Sequence, residues 1–261
     1  MYPTERRAAI LAAARAAGRR VAVSDLSRLL GVTPETIRRD LDFLEQEGLL
    51  RRQHGGAQLI RTAPFEQSLA VRQASEGPQK RCIARAVLEL LPEDGVVLLD
   101  SGSLTLTLAT LFPAGRDLLV VTNNLPAARV LSRHRSLTVL ALPGRVRRLT
   151  QGAVDEWTRE RLENLSVDLA VIGANGLTAA EGATTTSPAE AAVKRGMLET
   201  ARTSVLAVAA SKVGLVSFCG FAAPDDFDHV YTDSRIEATQ LTELADAGAN
   251  LTVATPEGGT E

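Results

Sequence analysis

The chain has 261 residues, 45% of them hydrophobic and only 3% aromatic, too many for one small module and suited to two domains with aliphatic cores. So few aromatic side chains argue against base stacking on single strands or RNA, and two cysteines (Cys82 and Cys219) without CxxC spacing argue against a disulfide framework or zinc site. Net charge is −2, yet residues 1–85 carry 15 Lys and Arg against 9 Asp and Glu while the remainder is acidic, as phosphate-backbone binding at one end requires.

Residues 24–30 predict a first helix, with Ser24 as its cap, Asp25 in the first turn and Leu26, Leu29 and Leu30 as its apolar stripe. Gly31 stands where a helix ends in a left-handed residue. Thr33 then caps a second helix that opens on Pro34. Ile37, Leu41 and Leu44 recur at i, i+4 and i+7 and predict its buried face, so Glu35, Thr36, Arg38 and Arg39 point outward. Two short helices about a tight turn suit a helix-turn-helix, whose second helix meets base edges in a major groove. The plainer alternative is a helical hairpin with a solvated arginine face.

Residues 49–60 (LLRRQHGGAQLI) predict two short strands around Gly55-Gly56, where adjacent glycines permit positive φ. A basic hairpin directly after the second helix reads as a wing able to touch phosphates. The candidate DNA-binding residues are therefore Thr33, Glu35, Thr36, Arg38, Arg39, Arg51, Arg52, His54, Gly55 and Gly56. This assigns residues 1–60 to a winged head, the polar, proline-bearing stretch 61–79 to a linker and 80–261 to a second domain.

Past a helix at about 79–91, short apolar runs at 96–99, 118–121, 137–142, 169–172, 205–208 and 230–232 predict buried strands. Helical patterns at about 104–112, 125–133, 155–164, 188–202 and 236–246 alternate with them. This is an α/β pattern with a mostly parallel sheet, and ligands of such sheets sit beyond the carboxyl ends of the strands. Polar clusters fall at those ends: residues 100–105 (DSGSLT), Thr122-Asn123-Asn124, residues 173–176, Glu190 with Lys194 at i, i+4, and Ser211-Lys212. A glycine flanked by hydroxyls ahead of a helix is a ready anion site, although serine and glycine also simply cap helices. Glu190 and Lys194 equally suit a surface ion pair. Arg145, Arg147 and Arg148 read as a solvated loop. The three histidines, His54, His134 and His229, are scattered, so no metal and no cofactor are expected. No segment reaches membrane-span length, and cytoplasmic localisation is expected.

Glu5-Arg6-Arg7, Ile10-Leu11 and the run 32–57 (VTPETIRRDLDFLEQEGLLRRQHGGA) resemble the winged-helix head of the DeoR-type bacterial regulators, and the likeness runs to about Val253. The resemblance implies a DNA-binding repressor of a carbohydrate or related catabolic operon. Its partners would be double-stranded operator DNA and a small phosphorylated metabolite of the sugar-phosphate type, held in a domain similar to ribose-5-phosphate isomerase. Carried over position by position, it nominates Asp100, Ser101, Gly102, Ser103, Thr105, Asn123, Asn175, Glu190, Lys194 and Lys212 as effector-binding residues. Four positions depart from the family pattern. Leu104 replaces a threonine, Pro143 a glycine, and Asn175 and Ala210 replace aspartates. Lost carboxylates argue against the alternative, an isomerase-like enzyme with an accessory winged helix. One winged helix covers too short a DNA site, so a homo-oligomer, dimer or tetramer, is expected.

Overall fold

Gly31 and Pro34 set the geometry of the first unit. Gly31 takes a left-handed φ of 63° and ends one helix, and Pro34 opens the next with its missing N–H at no cost. The computed structural model describes residues 3–16, 20–46, 50–53, 55–59 and 66–255. The chain divides into two units, Met1–Gln67 and Ser68–Glu261.

The first unit runs α1 (Pro3–Ala16), β1 (Arg20–Ala22), α2 (Val23–Leu30), α3 (Pro34–Gln46), β2 (Leu50–Gln53) and β3 (Gly56–Leu59). Ile10, Leu11, Val23, Leu26, Ile37, Leu41, Leu44 and Leu50 form its core, as the periodicity of α3 predicts. Asp40, buried at the margin of the same face of α3, accepts from Arg6 Nε at 2.5 Å and Arg7 Nε at 2.9 Å and so fastens α1 to α3. The Arg7 guanidinium also lies over the Phe43 ring, 3.6 Å from its centroid.

Three expectations need correction. Ser24 does not cap α2. The helix starts one residue earlier, at Val23, with Ala22 in the cap position and no side-chain bond there. Starting early puts Val23 in the apolar stripe, and Leu29 turns outward, 67% exposed. The wing is a three-stranded antiparallel sheet of order β1-β3-β2, because the short strand β1 pairs with β3. Its two glycines also have different duties: Gly55 takes φ 76°, whereas a Cβ on Gly56 would lie 2.1 Å from the Val21 carbonyl oxygen.

The second unit opens with α4 (Leu69–Ala74) and α5 (Gly77–Leu88), both inside or overlapping the stretch expected to be a linker. Ser68 caps α4 through Val71 N–H and Leu69 is buried, so ordered structure begins well before residue 80. Residues 61–65 lie outside the described residues. The chain continues through β4 (Asp94–Leu99), α6 (Ser103–Thr110), β5 (Asp117–Thr122), α7 (Leu125–Leu131), β6 (Leu137–Ala141), β7 (Arg145–Val146), β8 (Ala153–Val154) and α8 (Glu156–Leu162). Then follow β9 (Val167–Gly173), β10 (Gly176–Thr178), β11 (Gly182–Thr185), α9 (Pro188–Thr200), β12 (Ala201–Ala207), β13 (Cys219–Ala222), β14 (His229–Asp233), α10 (Ala238–Asp246) and β15 (Leu251–Ala254).

Seven strands form one parallel sheet in the order β15-β14-β12-β9-β4-β5-β6. Successive residues face opposite cores: Val97, Leu99, Leu169 and Val171 enter one, and Leu98, Ala170 and Ile172 the other. That explains why the strands read as unbroken apolar runs. The six expected strands and five expected helices are all present; β15, the β7–β8 pair and the small β10-β11-β13 sheet were not anticipated. Strand order reverses at β4, with β5 and β6 on one side and β9 onward on the other. The crevice beyond the carboxyl ends of β4 and β9 is therefore where a ligand of such a sheet sits.

Candidate functional site

In the first unit, α3 presents Glu35, Arg38 and Arg39 to solvent, with Thr33 at its cap and Thr36 half-buried beside it. Among the described residues the Arg38 side chain makes an exposed i, i+3 pair with Glu35, 3.2 Å long, which a DNA phosphate or base can displace. Arg52 behaves otherwise. Its guanidinium pairs with Asp42 and donates to the Arg38 carbonyl oxygen at 3.3 Å, while its backbone N–H donates to Glu45 at 2.7 Å. It braces the wing against α3 instead of standing free as a phosphate contact. Arg51 has its backbone in β2. The Arg51 side chain and His54 lie outside the described residues. Gly55 is exposed at the wing tip and Gly56 is packed under β1.

In the second unit the crevice beyond β4 and β9 is lined by buried charge. Asp100 follows β4, and its carboxylate accepts from Gly173 N–H at 3.1 Å and pairs with Lys194. Lys194 donates in turn to the Gly173 carbonyl oxygen at 2.9 Å, so a single cation ties α9 to the ends of both strands. Burial pushes the Asp100 carboxyl above the usual carboxylate range, against the pull of Lys194 and the Gly173 N–H. One turn before Lys194, Glu190 pairs with Arg147 through one oxygen and accepts from the Thr185 hydroxyl at 2.9 Å through the other. Burial raises its pKa, but Lys194, Arg147 and the hydrogen bonds outweigh burial and hold it below the usual range. The Thr185 oxygen is also 3.0 Å from the Asn175 side-chain amide. Asn175 Oδ1 is the atom at that distance, so the single Thr185 proton stands between two acceptors, Glu190 and Asn175.

The hydroxyl loop lies on the other side of β4. Gly102 takes φ 146°, a conformation costly for other residues, and places α6 with no side chain capping its first turn. The first N–H groups of a helix so placed form an anion site. Ser101 and Thr105 are buried beside it. Asn124, part of the strand-end cluster but not among the nominated effector residues, caps α7 and donates to the Gly102 carbonyl oxygen at 3.2 Å. Asn123, which is among them, donates to the Ala153 carbonyl oxygen at 3.0 Å and keeps a buried Oδ1 with no partner among the described residues. Gly152 closes over this loop, where a Cβ would come within 2.5 Å of Ser101.

Lys212 belongs to a second cluster at the ends of β12 and β14. Its charge bears on Lys80, whose amine donates to the Ser75 carbonyl oxygen at 2.6 Å and to that of Arg72. Burial lowers the Lys80 pKa to about 8, with Glu76 opposing and Arg72 and Lys212 adding to the fall. Glu76 accepts from Ser211 at 3.1 Å and Arg235 at 2.9 Å. Asp233 accepts the Ala210 N–H at 2.8 Å, so a carboxylate is present beside the position where Ala210 itself offers only a methyl. Nine of the ten nominated effector residues thus line the β4, β5 and β9 ends, and Lys212 is tied to the neighbouring cluster. Arg147 was misread as solvated. Its partner is 43 residues away, and no local pattern announces it.

Two family descriptions match the chain: the DeoR-like helix-turn-helix domain over residues 6–63 and the DeoR C terminal sensor domain over residues 75–234. The chain belongs to the DeoR family. It is 34% identical to the HTH-type transcriptional regulator GlpR of Haloferax volcanii over 96% of this chain and 98% of that protein. It is 28% identical to the glycerol-3-phosphate regulon repressor of Escherichia coli over 87% of this chain and 89% of that protein. Among solved structures, ribose 5 phosphate isomerase A from Neisseria gonorrhoeae aligns over 51% of this chain and 52% of its own, at 16% identity and a TM-score of 0.37. This DeoR-family chain is a DNA-binding transcriptional regulator with a winged head and an α/β sensor domain. Among its described residues no helix is long and apolar enough to cross a membrane.

Proposed function

We propose that this regulator is a repressor of a carbohydrate or related catabolic operon, acting as a homo-oligomer in the cytoplasm. Arg38 and Arg39 of α3 read operator bases, and a small phosphorylated metabolite binds beyond the ends of β4, β5 and β9. The observation that carries the ligand class is the uncapped start of α6 behind Gly102, placed beside the switch in strand order. The phosphate lies at that helix start, near Ser101, Ser103 and Thr105. The hydroxyl groups of the metabolite face the Asp100–Lys194 pair, with Asn123 Oδ1 as a buried acceptor seeking a donor. A relative named for glycerol 3-phosphate supports a phosphorylated ligand.

The enzyme alternative is disfavoured by the state of the carboxylates. Both oxygens of Glu190 are already engaged, Asp100 is committed to Lys194 and Gly173, and Asn175 and Ala210 cannot move protons. The deciding experiment selects an operator from a random duplex pool with the full chain, then titrates the complex with glycerol 3-phosphate and a panel of sugar phosphates. One phosphorylated compound should change operator affinity at least tenfold while its unphosphorylated form does not. An operator complex indifferent to all of them removes the sensing role.

A further inference from the structure

The segment between β7 and β8 touches more of the molecule than its length suggests. Arg147 N–H donates to the Gly152 carbonyl oxygen at 2.9 Å and Gln151 N–H to that of Arg147 at 2.7 Å, which folds residues 147–152 into a closed loop. Gln151 holds a left-handed φ of 54°, unfavourable for a residue with a side chain and sustained here by these bonds. The loop is anchored elsewhere too, and the Gln151 carbonyl oxygen accepts Leu125 N–H at 3.3 Å. The Arg147 guanidinium reaches Glu190 on α9, Gly152 packs on Ser101, and the Leu149 carbonyl oxygen accepts Leu69 N–H at 2.7 Å.

That last bond matters because of where Leu69 stands. It is the first residue of α4, one residue past the start of the second unit, and its N–H is one that a helix cannot satisfy internally. The α4 start is otherwise held by the burial of Leu69 and by the Ser68 cap on Val71 at a long 3.5 Å; farther along this six-residue helix Gln73 donates to the Thr107 hydroxyl oxygen at 3.2 Å. One short loop therefore joins two things: the strand-end crevice, through Ser101 and Glu190, and the helix that follows the DNA-binding unit in sequence.

We infer that Arg147 is a positioning residue through which the strand-end crevice sets the order of α4. The inference rests on the effector reading of that crevice. An anion entering beside Glu190 competes for the Arg147 guanidinium, which binds phosphate and carboxylate with the same planar fork. Release of Arg147 loosens the loop, the Leu149 oxygen moves with it, and the first turn of α4 loses its acceptor. A short helix at the edge of a domain, with one of its first N–H groups satisfied only by a loop, responds locally when that loop moves.

The test needs no ligand. Amide hydrogen exchange is measured on the full chain for the wild type, Arg147→Ala, Arg147→Lys, Glu190→Gln and the Arg147→Ala/Glu190→Gln double variant. Arg147→Ala should speed exchange at least tenfold in peptides covering 66–74 and 144–152 and leave peptides from β9 and β12 unchanged. Arg147→Lys, which keeps the charge, should recover most of the protection at 66–74. Glu190→Gln should mimic the loss, and the double variant should add nothing to it, as expected for two groups acting as one unit. Wild-type exchange at 66–74 in either single variant, or a rise spread evenly over the second unit in both, overturns the inference. Failure of the effector reading shows separately, as an operator complex that ignores every phosphorylated compound while these exchange results stand.

Discussion

The two units handle charge in opposite ways. The head buries Asp40 beneath two arginines of α1 and turns Arg38 and Arg39 outward, where weak exposed pairing of Arg38 with Glu35 competes with a ligand. The body draws Lys80, Asp100, Glu190 and Lys194 inside, each at most 5% exposed, and satisfies the last three with partners from distant elements and Lys80 with carbonyls at the end of the preceding helix. A DNA backbone is a large uniform anion that meets a surface, so its contacts remain solvated and salt-sensitive. A small polar metabolite must be told apart from its neighbours, and buried groups that lose much when left unpaired do this better. Exposed charge gives reach; buried charge gives discrimination.

The sharpest way to break this comparison is to remove one buried partner. Lys194→Met leaves Asp100 and the Gly173 carbonyl without their cation and should destabilise the body by about 3–5 kcal/mol. Denaturant unfolding of the full chain should show this as a shift of one transition. Asp100→Asn in the same chain should recover part of the loss, since it removes the stranded charge. A loss below about 1 kcal/mol would mean that water reaches the pair.

In the head, Asp40→Ala removes the carboxylate that Arg6 and Arg7 share at the α1–α3 contact. Both can partly turn to solvent, so the expected cost is about 1.5–3 kcal/mol of head stability, with the body transition unmoved. The exposed arginines should behave differently. Arg38→Ala and Arg39→Ala should each weaken specific operator binding by about 1–3 kcal/mol without altering the melting of either unit. Arg52→Ala joins the other class: its bonds to Asp42 and the Arg38 carbonyl make it a brace, so its loss should lower head stability by about 1 kcal/mol and weaken DNA binding through wing disorder. Equal effects of Arg38→Ala and Arg52→Ala on head melting would erase the distinction between reader and brace.

The gentlest perturbation is pH. Lys80 releases its proton at about 8 in the folded chain instead of its ordinary 10.5. Between those values the unfolded chain holds more protons, so this group makes stability rise as pH climbs from 8 toward 10.5. Urea midpoints of the wild type and Lys80→Gln across that window should differ in slope, with the wild type steeper. Parallel slopes would mean that Lys80 is solvated.

Legibility followed the same division. The α3 face was readable because Ile37, Leu41 and Leu44 announce its buried side and everything opposite is exposed by default. The strands of the body were readable because burial on both faces leaves unbroken apolar runs. What escaped were features made by distant pairing. β1 exists through β3, Gly56 is needed for the approach of Val21, and Arg147 is buried by Glu190. Arg52 was read as a phosphate contact because a basic strand looks the same in sequence whether its arginines face DNA or an acidic helix. Lys194 was undecided for a similar reason. Spacing put it four residues after Glu190, but its charge partner, Asp100, lies 94 residues away. Asn124 was not nominated beside Asn123 because only the folded loop shows which one holds Gly102.

The parallel sheet carries a consequence in time. Its central pairing joins Val97 to Leu169, and no hairpin can form that contact, so β4 must wait for β5, β6 and α8 to be made before its second neighbour exists. The head closes through helices and a hairpin within its first 67 residues. Local contacts form fast and long crossovers slowly. Refolding from urea should accordingly show a fast phase that restores the head, followed by a slower one abolished by truncation before β9. During synthesis the DNA-binding unit is complete while the sensor is still a partial chain with an open sheet edge. Newborn molecules thus pass through an interval in which they can grip a chromosome before they can hear a metabolite.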